Sequence, residues 1–161
     1  MDFKNRTING IHVHPLVKHV DERGFLVETF RSDTLPDGLT PVMSYVSYTE
    51  PQTARGPHEH KNQTDIFAFL GPGNFKVFLW DNRRQSPTHG KKMVIFVGAD
   101  SPAMVIVPPG VVHAYRNISK TERGVVINYP DQLYAGPKKQ KPVDEIRHED
   151  KQDAFFQDFV G

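Results

Sequence analysis

Short apolar segments, separated at regular intervals by turn residues, are the feature that most limits how this chain can fold. Five such segments, each five or six residues long, span 75–80, 93–97, 103–107, 111–115 and 125–129. Gly, Pro, Asp and Asn separate them, and these residues favour turns. Strands this short and this regularly interrupted predict an all-β sandwich or barrel.

The remaining local pattern adds strands at both ends of this set. Further strands are predicted at 11–13, at 25–30 after a turn at 21–24, at 42–48 and at 66–70. The glycine-rich turn 71–74 is expected to join 66–70 to 75–80 as a hairpin. From about residue 143 to 159, three apolar residues with roughly helical spacing predict a short C-terminal helix docked on the barrel. They are Phe155, Phe156 and Phe159.

Length and composition bound the class of protein. We interpret the 161 residues, 1–161, as one domain, because that length can bury a sizeable core. Cysteine is absent, and no apolar run approaches the roughly 20 residues of a membrane span. We therefore expect a cytoplasmic protein that binds no membrane. The net charge of +1 gives no sign of the strongly basic surface that nucleic-acid binding requires. The lysines at 138, 139 and 141 are expected to form a solvated loop.

The segment from residue 55 to 71 contains the most chemically versatile side chains. His58 and His60 are two apart, so in an extended strand both point to one face while Glu59 points to the other. Arg55 adds a guanidinium fork suited to a carboxylate or phosphate. A lone His on a strand is more often structural. This cluster opens an apolar strand, however, where polar groups are costly to bury without partners or a ligand, so we interpret it as a functional site.

A second polar cluster follows a bend at residues 108–110, Pro-Pro-Gly. His113 comes next, at the start of a predicted strand. Taken alone, this stretch is equally well explained as a turn followed by a partly buried histidine.

Together the two stretches resemble the paired motifs of the cupin superfamily. The second motif is matched at Pro108, Gly110, His113 and Asn117, with Pro102 where its first Gly is expected. The first is matched at His58 and His60, with Asp65 in place of Glu and the final Gly71 one residue early. Cupins are double-stranded β-helix, or jelly-roll, barrels, so the resemblance and the strand pattern imply the same fold.

Within the cupins, the segment from about Asp21 to Tyr134 resembles the dTDP-4-dehydrorhamnose 3,5-epimerase family. Four motifs occur in the family's order, which makes the resemblance specific. They are Asp21-Glu-Arg-Gly-Phe with Glu28, Arg55-Gly-Pro-His58, the Asp81 to Gly90 loop with Ser-Pro-Thr, and Pro109-Gly-Val-Val-His113.

The chain also departs from that family. By alignment, Asp65 takes the position of the family's active-site Lys, and Asn128, or Tyr129 after a one-residue shift, takes that of its proton-donating Tyr. The family's Asp that supports the catalytic His lies in a longer C-terminal segment, and we expect no counterpart here. His60 replaces a Gln, which gives a His-x-His pattern similar to that of sugar 3,4-ketoisomerases.

The resemblance implies an isomerase that acts, without a cofactor, on a nucleotide-linked 4-keto-6-deoxyhexose in deoxysugar or polysaccharide biosynthesis. His58 would remove the proton next to the ketone, His60 or Tyr129 would deliver or relay a proton, and His113 would hydrogen-bond the sugar or the enolate. The expected substrate-binding residues are Arg55 at the pyrophosphate, with Arg23, Glu28, Asn128 and Tyr134. A homodimer is expected, in which the strand from Asp21 to Phe30 adds to the partner's sheet.

Two alternatives remain. His58, His60, Asp65 and His113 form a set of three histidines and one carboxylate that suits Fe(II), Mn(II), Ni(II) or Zn(II), so the chain could be a metal-dependent cupin. The absence of the family's proton-donating Tyr and of its C-terminal Asp would also fit a catalytically inactive sugar-binding or assembly protein.

Overall fold

The structure, a computed structural model, describes residues 8–149 and consists almost entirely of antiparallel β-strands. The strands are β1 (His12–Pro15), β2 (His19–Asp21), β3 (Gly24–Leu26), β4 (Tyr45–Thr49), β5 (Ala54–Glu59), β6 (Asp65–Phe69), β7 (Asn74–Asp81), β8 (Lys92–Gly98), β9 (Ala103–Val107), β10 (Val111–Asn117), β11 (Gly124–Asn128) and β12 (Ile146–Arg147). One 3-10 turn, Pro137–Lys139, is the helical element found in residues 8–149. The all-β prediction is confirmed.

Two five-stranded sheets form the body of the protein. The first has the order β1-β9-β6-β11-β4 and the second the order β12-β5-β10-β7-β8, while β2 and β3 make a separate two-stranded hairpin. Strands adjacent in a sheet are distant in sequence, as in a jelly-roll barrel.

The main core fills the space between the two sheets. On β7, Phe75, Val77 and Leu79 point inward, because alternate residues of a strand share one face. Phe78 and Trp80 point outward and pack on Val112 and Ala114 of β10. A third cluster, around Ile66, covers the outer face of the first sheet. Both faces of the central strands are therefore buried, which explains why these segments are apolar almost without interruption.

Two local predictions need correction. The expected hairpin between 66–70 and 75–80 does not form, since β6 lies in the first sheet and β7 in the second. Gly71 and Gly73, with φ of 98° and 83°, carry the chain from one sheet to the other. The strand expected at 25–30 ends at Leu26.

The C-terminal helix expected from about residue 143 to 159 is not present in its described part, residues 143–149. Residues 143–149 contain β12, which pairs with the edge of β5 at Glu59 and His58. The remainder of that prediction, with Phe155, Phe156 and Phe159, lies outside the described residues. Across residues 8–149, no helix has the length and apolar character needed to cross a bilayer.

The loop that follows β7 is organised by one buried carboxylate. Asp81 accepts hydrogen bonds from Arg83 Nε (2.8 Å), Ser86 Oγ (2.6 Å) and Thr88 Oγ1 (2.5 Å). Burial opposes ionisation of Asp81, but these donors outweigh it and hold the pKa of Asp81 below its usual range. This network accounts structurally for the Ser-Pro-Thr motif.

Candidate active site

Three histidines and one aspartate meet where the two sheets converge. His58 lies on β5 directly opposite His113 of β10, and their ring centroids are 4.4 Å apart. His60 follows β5, with its ring 5.8 Å from that of His58. Asp65 begins β6 in the other sheet. The predicted convergence of His58 and His60 on one face is confirmed, and Glu59 points to the opposite side, where it accepts a hydrogen bond from Asn82.

Asp65 is the centre of this cluster and is 1% exposed. Its Oδ2 lies 3.1 Å from His113 Nε2 and 3.2 Å from His60 Nε2. Its Oδ1 accepts hydrogen bonds of 2.8 Å from Gln63 Nε2 and Asn128 Nδ2. Burial alone would keep this carboxyl protonated, but the nearby His113 and His60 outweigh burial and hold the pKa of Asp65 below its usual range. Asp65 is therefore a buried anion.

Backbone carbonyls fix the orientation of two rings. Nδ1 of His60 contacts the carbonyl of Asp144, and Nδ1 of His113 contacts the carbonyl of Val111 at 3.0 Å. A carbonyl only accepts, so each Nδ1 carries the proton and each Nε2 faces Asp65. Burial lowers the pKa of His60, but Asp65 and the Asp144 carbonyl outweigh it and raise that pKa to about 9. At neutral pH, His60 is an imidazolium paired with Asp65.

His58 has the opposite electrostatic character. Burial first, and then the charge of His113 and His60, lower the pKa of His58 to about 2, and Asp65 offsets this only in part. The side chain is half-buried and reaches the wall of the adjacent cavity. His58 is therefore a neutral imidazole, able to accept a proton, next to a charged histidine–aspartate pair.

A large cavity opens over His58 and His60, with a volume of about 1110 Å³. Arg55, Tyr45 and Tyr134 contribute to its walls. Arg55 is anchored by hydrogen bonds from Nη2 to the Tyr48 carbonyl (2.6 Å) and from Nε to Thr49 Oγ1 (3.2 Å). The lysine run at 138–141, expected to be a solvated loop, is exposed, but Lys139 and Lys141 also line the cavity.

Several residues expected at the site lie elsewhere. Tyr129 is on the opposite face of the first sheet, where its hydroxyl pairs with Thr29 Oγ1 (2.8 Å) and its ring packs on Phe30. It therefore does not line the cavity in which it was expected to deliver a proton. Arg23 is 85% exposed at its side chain and pairs with Asp21. Glu28 contacts Arg31 on the surface. Neither Arg23 nor Glu28 lines the cavity with Arg55.

His113 and Asn128 are in the cluster but face its interior. His113 is 2% exposed, and both of its ring nitrogens face protein atoms, so its expected contact with the sugar is not available. Asn128 is fully buried and donates from Nδ2 to Asp65 Oδ1 and to Tyr45 Oη, both at 2.8 Å. His113 contacts Asp65, and Asn128 fixes both Asp65 and the cavity-lining Tyr45.

Sequence reasoning missed three residues of this site. Tyr45 lines the cavity, and both burial and the charge of Asp65 raise its pKa. Gln63 Nε2 donates to Asp65 Oδ1 at 2.8 Å and lies 3.2 Å from His60 Nε2. Asp144 binds His60 from the C-terminal segment. In the sequence, Tyr45 is one aromatic residue of a predicted strand, with nothing that marks it as a site residue. Asp144 belongs to no motif that would indicate a contact with His60.

The same cluster has the composition of a metal site. One ligand atom from each of His58, His60, Asp65 and His113 lies within 4.8 Å of all the others. In addition, Asp65 Oδ2 and His113 Nε2 are buried and 3.1 Å apart, but they are not aligned for a hydrogen bond. His60 already provides a positive charge on one side of Asp65 Oδ2. When His113 is neutral, however, its Nε2 and Asp65 Oδ2 present lone pairs to each other, so this pair needs a proton on His113 or a metal ion between the two atoms. The donor set therefore fits a divalent metal.

Comparison with known proteins was made on sequence and on fold. Residues 5–152 match the model of the dTDP-4-dehydrorhamnose 3,5-epimerase family. The spore coat polysaccharide biosynthesis protein SpsL of Bacillus subtilis is 33% identical over 121 residues, which cover 74% of this chain and 78% of SpsL. The probable low-salt glycan biosynthesis epimerase Agl13 of Haloferax volcanii is 35% identical over 128 residues, 79% of this chain and 81% of Agl13.

The fold matches solved structures as well. A dTDP sugar isomerase from Desulfovibrio desulfuricans G20 superposes with a TM-score of 0.78 at 26% identity, covering 93% of this chain and 89% of that one. The predicted jelly-roll fold is confirmed by this match.

Proposed function

This chain belongs to the dTDP-4-dehydrorhamnose 3,5-epimerase family, and on that basis we propose that it epimerises a nucleotide-linked 4-keto-6-deoxyhexose by proton transfer next to the ketone. Membership makes the protein a sugar isomerase. The observation that carries the proposal is the neutral His58 on the cavity wall, beside the charged His60–Asp65 pair. Deuterium incorporation at C3 or C5 of such a sugar tests it.

His58 acts as the base in this proposal. Its unprotonated imidazole takes a proton from the carbon next to the ketone, and the electron pair of the C–H bond moves onto the ketone oxygen as an enolate. A pKa near 2 makes His58 a weak base in the free protein. The transfer, however, forms an imidazolium beside an anionic enolate, and an opposite charge at that distance raises the pKa of the histidine.

Two groups on the cavity wall can complete the reaction. The His60 imidazolium provides positive charge where the enolate oxygen develops, which is where stabilisation lowers the barrier most. Tyr45 Oη, held by Asn128 Nδ2 at 2.8 Å, provides a hydroxyl that can return a proton to the carbon from the other side of the sugar. Return from the opposite side inverts the carbon, and Tyr45 takes the place expected for Tyr129.

The nucleotide diphosphate is proposed to bind along the cationic wall. The guanidinium of Arg55 is anchored at two points and presents a rigid fork to phosphate oxygens. Lys139 and Lys141 line the same cavity, and neither forms an ion pair with another residue of the segment 8–149. Together they supply the positive charge that a diphosphate requires.

Replacing Arg55 should weaken binding without disturbing the chemistry. Arg55→Ala is expected to cost on the order of 2 kcal/mol in dTDP affinity, about thirtyfold in the dissociation constant. Calorimetric titration with dTDP measures this. Arg123→Ala is the matched control, because Arg123 forms an exposed pair with Glu50 away from the cavity. An unchanged dissociation constant for Arg55→Ala would remove Arg55 from the binding site.

The exposed hairpin motivates a proposed homodimer. Val20, Phe25 and Leu26 of β2 and β3 are 75%, 52% and 63% exposed, and this hairpin pairs with no other strand of residues 8–149. A second copy would cover it, and could bring Arg23 to a cavity that Arg23 does not reach within its own chain. Light scattering at micromolar concentration is expected to give twice the chain mass, and Phe25→Glu to reduce it to that of one chain. A wild-type monomer would contradict the dimer.

The unaligned pair Asp65 Oδ2 and His113 Nε2 favours a second candidate, a metal-dependent isomerase. His58, His60, Asp65 and His113 would hold the ion, which would polarise the ketone oxygen as a Lewis acid. Elemental analysis of the purified protein separates the two candidates. Stoichiometric metal, with activity lost to a chelator and restored by the ion, would favour the metal enzyme over the cofactor-free one.

A further inference from the structure

The segment 143–148, which we name the strap, runs beside β5 at the edge of the second sheet and has contacts on both sides of that sheet. Within it, Ile146 and Arg147 pair with Glu59 and His58. On the face away from the cavity, His148 Nε2 lies 2.9 Å from Glu59 Oε1, and both side chains are buried. The His148 amide donates to the Pro57 carbonyl at 2.9 Å. The strap is therefore attached firmly to the strand that carries His58.

On the cavity side, the strap places one residue, Asp144, against the loop between β5 and β6. Its carboxylate accepts hydrogen bonds from three successive backbone amides: Lys61 N to Oδ1 at 3.1 Å, and Asn62 N and Gln63 N to Oδ2 at 2.8 and 3.0 Å. Its own carbonyl accepts the Nδ1 proton of His60. Hydrogen bonds to an ionised acceptor are the stronger kind, so this one residue holds the loop and the ring together.

The held loop carries a second contact to the site. Gln63 is the last of the three residues whose amides bind Asp144, and its side chain donates to Asp65 Oδ1 at 2.8 Å and lies 3.2 Å from His60 Nε2. His60 Nε2 faces Asp65 Oδ2 at 3.2 Å on the other side of the ring, so Gln63 acts on His60 by fixing the carboxylate that the ring faces. Groups that lock a reactive side chain in this way determine how accurately it meets the substrate.

From these contacts we propose that Asp144 is a positioning residue: by holding residues 61–63 and the Nδ1 proton of His60, it keeps His60 Nε2 directed at Asp65 and the cavity. This inference rests on the proposed epimerase function for its effect on rate. The fixing of the ring itself does not depend on turnover. Asp144 acts through His60 and does not touch the reacting carbon.

Asp131→Ala is a control that separates a specific effect on His60 from a general destabilisation of the loop between β5 and β6. Asp131 Oδ1 accepts the amide of Thr64 at 2.8 Å, so Asp131 caps the next residue of the same loop by the same chemistry. Asp131 has no hydrogen bond to His60. If Asp144 only stabilised the loop, Asp144→Ala and Asp131→Ala would have similar effects. Asp144→Ala keeps the backbone carbonyl that accepts from His60 but removes the carboxylate that ties this carbonyl to the amides of residues 61–63. If the carboxylate positions His60 through these amides, only Asp144→Ala should disturb the ring.

The test combines substrate-free NMR with kinetics. In protein labelled with ¹⁵N-histidine, a slowly exchanging Nδ1–H resonance, assigned by its loss in His60→Asn, is expected in the wild type and in Asp131→Ala but not in Asp144→Ala. Asp144→Ala should also lower the rate of deuterium incorporation into a dTDP-linked 4-keto-6-deoxyhexose by roughly 10- to 100-fold, as small misplacements of reacting groups do. Asp131 also lines the cavity, but Asp131→Ala leaves the contacts of His60 in place, so it should keep more of that rate than Asp144→Ala.

Several outcomes would overturn the proposal. They are a wild-type protein without the slowly exchanging resonance, an Asp144→Ala protein that keeps it, and equal loss of rate in both variants. Melting curves and dTDP titrations establish that each variant is folded, and Asp144→Asn, which keeps one acceptor oxygen, should show an intermediate rate if Asp144→Ala fails to fold. Failure of the epimerase proposal is recognised separately, as a wild-type protein that shows the resonance but incorporates no deuterium.

Discussion

His58→Asn is expected to leave folding and nucleotide affinity nearly intact while the rate of deuterium incorporation falls by roughly 10²- to 10⁴-fold. Asparagine is close in size to histidine and can form hydrogen bonds, but it does not accept a proton in this pH range. His58 reaches the cavity wall as a neutral imidazole, with its pKa lowered to about 2 by burial and neighbouring charge. The variant thus removes the base and preserves the cavity.

The control for His58→Asn is His89→Asn, which removes an exposed imidazole in the loop after β7. It should exchange at the wild-type rate. His58→Asn is measured by NMR in deuterated water, with dTDP titrations to confirm that the cavity still binds. A wild-type rate in His58→Asn would eliminate His58 as the base. Loss of bound metal together with loss of rate would support the metal enzyme.

The second large effect is expected from Asp65→Asn and depends on pH. In the wild type, Asp65 outweighs burial and raises the pKa of His60 to about 9, so His60 stays an imidazolium until the pH rises through that value. The titratable groups that face His60 are Asp65 of β6, His58 and His113 of the second sheet, and Asp144, whose carbonyl and charge both raise the pKa of His60. Gln63 Nε2, which does not titrate, also lies 3.2 Å from His60 Nε2. The exchange rate should fall tenfold for each pH unit above about 9.

Without the carboxylate, burial lowers the pKa of His60 and only Asp144 still raises it, so this pKa should fall from about 9 toward its ordinary 6.5. A histidine with a pKa of 6.5 is charged to roughly one part in thirty at pH 8, so the rate of Asp65→Asn should fall by up to about thirtyfold there. The loss should shrink as the pH falls toward 6. The test is to measure the deuterium incorporation rates of the wild type and of Asp65→Asn between about pH 6 and 10. Parallel profiles for the two proteins would show that the charge on His60 has no part in the reaction.

The sequence predicted those features that depend on local alternation. His58 and His60 share a face and Glu59 takes the other, because side chains alternate along an extended chain. The strands of the two sheets were also predictable, because their apolar runs are bounded by turn residues. Asp65, expected at the position of a ligand or catalytic group, is buried among the histidines.

What the sequence could not supply were contacts between distant segments. Tyr45 reaches the site because it pairs with Asn128 across β4 and β11, and that register is not encoded near either residue. Tyr129 was misjudged by one position, which in a strand moves a side chain to the opposite face. Asp144 is 84 residues from His60 and binds it through a carbonyl, a group that every residue has.

The central claim is that this chain moves protons next to a sugar ketone, and the wild-type protein tests it most directly. It should be incubated in deuterated water with dTDP-, GDP- and UDP-linked 4-keto-6-deoxyhexoses, with NMR recorded at C3 and C5. Deuterium is expected at C3, at C5 or at both with at least one of these nucleotides, and the position identifies the carbon that reacts. Tight nucleotide-sugar binding with no deuterium at either carbon would contradict the claim and support a binding protein without catalytic activity.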